Sequence, residues 1–149
     1  MTKDDGFRLQ QVLNLRRELE KVRKQELAAA RNEFDTATKR LRNEEEKAEK
    51  LSRELEEKET AGIMALELQL YAEFSRKQSS DIKAQREVVT DLDHKVTEKR
   101  ENLLSAAKEK KVLETFKDKT IAAQQQERAA RERTFLDEIA TQGNSRSKK

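Results

Sequence analysis

The chain contains no proline, and its three glycines stand far apart, at Gly6, Gly62 and Gly143. Proline and glycine are the strongest breakers of regular structure, so two long uninterrupted segments remain, 7–61 and 63–142. Both are filled with Ala, Leu, Glu, Lys, Arg and Gln, which lose least on entering a helix. Acid-before-base pairs four residues apart recur at Glu20/Lys24, Glu46/Lys50, Glu54/Lys58, Asp91/Lys95 and Glu127/Arg131. Each adds only ~0.2–0.5 kcal/mol, so helices of roughly 80 Å and 120 Å must be held mainly by packing along a stripe.

Composition decides what that packing can be. The 149 residues are 42% charged, 34% hydrophobic and 4% aromatic, against about 25% charged and 45–50% apolar in an average globular chain. Such a chain cannot enclose a roughly spherical interior, whereas a helix pair buries only a stripe. The charge is balanced, Lys+Arg 33 against Asp+Glu 30, unlike the single-signed composition of a disordered tail. The expected fold is therefore all-α, a long antiparallel two-helix coiled-coil hairpin with helix two overhanging. Its parts are a flexible N-terminus at 1–5, helix one at 6–61, a turn at 62–65, helix two at 66–141 and a flexible basic tail at 142–149.

In the first segment the apolar residues run Leu15, Leu19, Val22, then Ala30, Phe34, Ala37, Leu41, then Ala48, Leu51, Leu55. Leu19 to Leu41 spans two hendecads rather than three heptads, which predicts a local straightening or reversal of the supercoil. The second segment reads Val89, Leu92, Val96, Lys99, Leu103, Ala106, Lys110, Leu113, with two lysines in the seam. The stretch Arg76–Arg86 offers only Ile82 and Ala84, and Ser79, Ser80 and Asp81 favour caps, which predicts a weak point in helix two. Folding about Gly62 sets residues whose numbers add to about 124 opposite each other, so Phe7 falls near Lys117. Helix two then overhangs by about 20 residues and carries Phe116, Ile121, Phe135, Leu136 and Ile139.

Several chemistries are excluded. Without cysteine there is neither disulfide nor thiolate metal site, and His94 alone builds no histidine cluster, so no metal and no cofactor are expected. His94 reads as an exposed or seam-edge histidine on a charged helix and is given no role. The glycines are too sparse for any phosphate-cradling loop, and a helix pair has almost no concave surface, so the chain is not expected to be an enzyme. The acidic residues Glu44–Glu46 and Glu54–Glu59 point around a helix axis and read as a solvated face. Basic residues are interleaved with acids and no aromatic platform accompanies them, so nucleic acid is not an expected partner. No apolar run is long enough to span a bilayer, and the N-terminus lacks a signal-peptide core, which predicts a cytoplasmic protein. Tyr71 and Phe74, three apart just after the turn, form either a plug that closes the hairpin tip or an aromatic contact for a partner.

The opening FRLQQVLNLRRELEKVRKQELAAA resembles the start of the FliJ family of the bacterial flagellar type III export apparatus, where F-x-L-x-x-V-L-x-L-R precedes charged heptads. The stretch ENLLSAAKEKKVLETFKDKTIAAQQQERAARERTFLDEIATQ is similar to that family's second helix, closing on LDEIA. The resemblance implies a coiled coil like that of the rotary ATP synthase γ subunit. It also implies association with the hexameric export ATPase FliI, with the export-gate protein FlhA and with export chaperones, at the cytoplasmic side of the inner membrane and only through partners. On this resemblance Phe7, Leu9, Val12, Leu13, Phe135, Leu136 and Ile139 face the ATPase ring, and Tyr71 and Phe74 match the gate contact as Y-x-x-F. The implied role is to couple ATP hydrolysis to export. A homodimeric structural spacer with no ATPase partner is the competing reading, and an adaptor that holds substrates unfolded is a third, disfavoured by the narrow stripe.

Overall fold

The computed structural model describes residues 7–147. Two helices account for nearly all of them: α1 (Gln10–Ala61) and α2 (Ala65–Ser147). The expected flexible segment 1–5 and the end of the expected tail, 148–149, lie outside the described residues. Helical backbone starts one residue earlier than expected after the turn and continues past Gly143 to Ser147, where the sequence reading placed a tail from 142. A mid-helix glycine costs about 1 kcal/mol against alanine but does not by itself end a helix, and Gly143 lacks the positive φ of a terminating cap.

Gly62 has that geometry, with φ at 100°. It ends α1 in the left-handed region that only glycine enters without strain, and Ile63 and Met64 complete the link. The Leu68 amide then donates to the Met64 carbonyl at 3.0 Å as α2 begins. Lys58 in the last turn of α1 reaches Glu67 in the first turn of α2 at 3.9 Å, each at the helix end whose dipole favours its charge.

The contacts fall into two units. Unit 2 comprises residues 21–104 and is an antiparallel helical hairpin. Glu26 faces Lys99, Glu33 faces Lys95, Glu45 faces Arg86 and Lys58 faces Glu67, so facing residue numbers add to about the value expected from a fold at Gly62. Its core is a thin layer of Leu27, Ala30 and Val96, with Phe34 and Leu103 packed against it. Toward the link the layer continues through Ala37 and Ile82, and the Gln85 amide donates to the Ala37 carbonyl at 3.1 Å. That bond lets a polar residue occupy the seam, and the helix runs unbroken through Ser79–Asp81 where a weak point was expected.

Unit 1 comprises 7–20 with 105–147 among the described residues. Leu13 is fully enclosed at 0% exposure and Ala106 is buried. Arg16 pairs with Glu109, Arg17 with Glu114 at 3.6 Å, and Glu20 with Lys110 at 2.6 Å. Phe7 stacks tilted on Phe116 with ring centroids 5.7 Å apart, one residue from the expected Lys117.

The seam corrects one reading of the sequence. Along α1 the line of buried and half-buried positions passes through Leu13, Arg16, Glu20, Arg23, Leu27, Ala30, Phe34, Ala37, Leu41, Glu44, Ala48, Leu51 and Leu55. The steps alternate between three and four throughout, the heptad of a left-handed coiled coil, with no hendecad. Leu15 is 69% exposed, Val22 is exposed and Leu19 is only half-buried. The register set by Leu27–Leu55 lands one position away from these leucines. The polar residues it meets are tolerated because their long stems pack while their charges reach Glu109, Lys110 and Glu26. On α2 every expected seam position lies on the line, and the line extends from Tyr71 to Gln124.

Candidate docking surfaces

Phe7 and Leu9 lie just before α1, and Val12 and Leu13 in its first turn, all in unit 1. Leu13 is consumed by the contact with α2 and offers no surface, whereas Leu9 and Val12 are exposed and Phe7 is half-buried on Phe116. Leu13 therefore anchors the turn that presents its neighbours. The Leu13 amide donates to the Leu9 carbonyl at 2.9 Å, and Gln10 donates to the Phe7 carbonyl at 3.0 Å, which fixes that presentation.

Phe135, Leu136 and Ile139 are all exposed, Phe135 at 62%. They are not brought against Phe7: Phe135 follows Phe116 by 19 residues on one helix, about 28 Å along its axis. From residue 125 to 146 every residue of α2 is exposed. Phe135, Leu136 and Ile139 thus stand uncovered within a run that has no intramolecular partner over it.

Tyr71 and Phe74 lie in unit 2 and are oriented differently. Tyr71 is half-buried, its ring 5.0 Å from the Lys58 ammonium. The Tyr71 phenol, joined by the charges of Glu67 and Glu54, holds Lys58 above the usual lysine range. Phe74 is 57% exposed, and Met64, Leu66 and Leu70 are exposed with it. An apolar plug closing the link would bury Met64, Leu66, Leu70 and Phe74, and they are exposed instead.

One patch went unread in the sequence. Val112 and Phe116, one turn apart on α2, line a shallow open concavity with Thr115, Lys108, Lys111 and Lys119. Its signal was present, an apolar pair at four-residue spacing ringed by lysines, but the pair stands one position off the seam line of Leu113 and Lys117.

The electrostatics are structural. Arg23 hydrogen-bonds Glu26 at 3.0 Å and, with Lys99, keeps its carboxyl below the usual carboxylate range. The Glu20 carboxylate holds the Lys110 ammonium above the usual lysine range. His94 is exposed. Among the described residues no group of three or more His, Cys, Asp or Glu is arranged to hold a metal ion, and no helix is long and apolar enough to cross a membrane.

Two long helices paired through an ionic and apolar seam, with no strand among the described residues, define a protein of the all-α coiled-coil class. The family model described as Flagellar FliJ protein matches residues 5–149. The chain belongs to the FliJ family, and that membership makes it a component of the flagellar protein export apparatus. No curated protein and no solved structure matches it.

Proposed function

We propose that this chain binds the export ATPase FliI through the apolar residues of unit 1 and the export gate FlhA through Tyr71 and Phe74, coupling ATP hydrolysis to export and assisting export chaperones. The observation that carries the reading is the uncovered set Phe135, Leu136 and Ile139 on a helix that continues beyond its own partner. Leu9 and Val12, held outward by buried Leu13, supply a second apolar surface in the same unit. The work is done by binding alone: a partner with apolar pockets covers these side chains, and the chain contributes no group to hydrolysis. Its place is at the cytoplasmic side of the inner membrane, reached through these partners.

The test is titration of the protein into the export ATPase of the same organism, with ATP hydrolysis and ring assembly as readouts. The variant carrying Phe135→Ala, Leu136→Ala and Ile139→Ala is expected to lose at least ~10-fold in apparent affinity, since each buried large side chain contributes ~1.5–3 kcal/mol. No stimulation and no binding by the wild-type protein sinks the coupling role. Equal stimulation by the variant moves the site away from these residues. For the gate, Tyr71→Ala with Phe74→Ala is expected to weaken FlhA binding while leaving ATPase stimulation intact.

A further inference from the structure

The exposed stretch of α2 carries an apolar stripe that is not the continuation of the intramolecular seam. Continued past Gln124 with the same alternation, that seam steps to Glu127, Arg131, Thr134 and Glu138, which is polar throughout. A second line, one position away, alternates steps of four and three through Ile121, Gln125, Arg128, Glu132, Phe135 and Ile139. Its large apolar residues stand toward its two ends, and opposite charges stand at its centre. Such a sequence is complementary to itself when reversed.

We propose that this stretch pairs antiparallel with the same stretch of a second copy of the chain. With the two-fold axis beside residue 130, Ile121 packs on Ile139 of the second copy and Gln125 on Phe135. Arg128 meets Glu132, and each of these layers occurs twice by symmetry. On one flank Leu136 covers Ala122 of the second copy and Ala129 meets Ala129. On the other, Arg131 approaches its own copy while carrying its own Glu127 carboxylate at 2.6 Å.

The central charges select this arrangement over its competitors. A parallel pair stacks Arg128 on Arg128 and Glu132 on Glu132. Sliding the antiparallel pair by one turn in either direction brings Arg128 onto Arg128 or Glu132 onto Glu132. The chain already uses an ionic seam layer of this kind, since Glu20 and Lys110 occupy seam positions in unit 1 and meet at 2.6 Å. The self-pair covers Phe135 and Ile139, so a second copy and the ATPase take the same stripe in turn. The inference stands on the isolated protein and is independent of the ATPase reading.

The test is sedimentation velocity of the full chain up to about 100 μM, because a short pair with mixed polar and apolar layers associates weakly. The wild type is expected to form a dimer in a concentration-dependent manner. Arg128→Glu alone and Glu132→Arg alone each place like charges in the central layers and are expected to raise the dimer dissociation constant at least ~10-fold. An equimolar mixture of the two variants restores opposite charges in every layer and is expected to dimerise within ~3-fold of wild type, a complementation that a non-specific loss of folding cannot give. A wild type that stays monomeric overturns the proposal, as does a mixture that associates no better than either variant alone.

Discussion

Replacing Leu13 by alanine separates the observed seam from the one the leucine pattern suggests. Leu13 has no exposed surface, so truncation removes roughly three methylene equivalents from a fully buried site, about 2.4 kcal/mol at ~0.8 kcal/mol each. The residual cavity adds little where two helices can close on it, which gives about 2–3 kcal/mol in all. Leu15, with 69% of its surface exposed, has little packing to lose, and Leu15→Ala should change stability by less than ~0.5 kcal/mol. The assay is native-state amide hydrogen exchange over residues 10–20, because a helix pair opens locally and a global melt blurs the ends. A loss of about 2.5 kcal/mol lowers protection there ~70-fold. Leu15→Ala with a loss equal to or larger than that of Leu13→Ala would refute the heptad assignment and restore the hendecad.

Other substitutions test the remaining features. Gly62→Ala has open space around the new methyl group but inherits φ at +100°, so it should lower hairpin stability by about 1–2 kcal/mol in a thermal melt. Gly143→Ala, in helical backbone with nothing within 4 Å, should instead raise helix content near the C-terminus by circular dichroism. Glu26 is held below its ordinary value of 4.5, so its stabilisation is complete above that pH and is lost as pH falls through the lower folded value; Glu26→Gln should flatten the acid limb of a Tm-against-pH curve. Lys110 lies above 10.5, so its contribution is complete below that pH and fades as pH rises through the raised value, a fade that Lys110→Met should abolish. Lys110→Met alone should also lower Tm near neutrality, while Glu20→Leu with Lys110→Leu should restore or raise it.

Which parts of this arrangement were legible follows from what each depends on. The helices and the link at Gly62 rest on local chemistry, the lack of breakers and one residue able to hold a positive φ, and local chemistry is written in the sequence. The α2 seam was equally plain, because Val89–Leu113 keeps its alternation and Lys99 and Lys110 fit it only as seam residues. The first third of α1 was read one position out. There the apolar letters Leu15, Leu19 and Val22 lie beside the true line, and the residues on it, Arg16, Glu20 and Arg23, declare themselves only once Glu109, Lys110 and Glu26 are seen to meet them. Gln85 was missed for the same reason, since its seam position depends on the carbonyl of Ala37. Among the surface residues, the exposure of Phe74, Phe135, Leu136 and Ile139 follows from position and length. The burial of Leu13 is a matter of register, which no single-residue property announces.

The three-residue link at Gly62 also sets an order of assembly. Arg86 and Glu45 are separated by 41 residues of chain, Lys95 and Glu33 by 62, and Arg16 and Glu109 by 93. Closing the last of these from an open chain confines far more chain than closing the first, so the hairpin zips outward from Gly62, each formed contact shortening the loop the next must close. During synthesis, residues 21–61 find their complement as soon as 65–104 has emerged, whereas the first turns of α1 wait for 105–116. A chain interrupted near residue 104 thus completes unit 2 and leaves Leu13 without the residues that bury it.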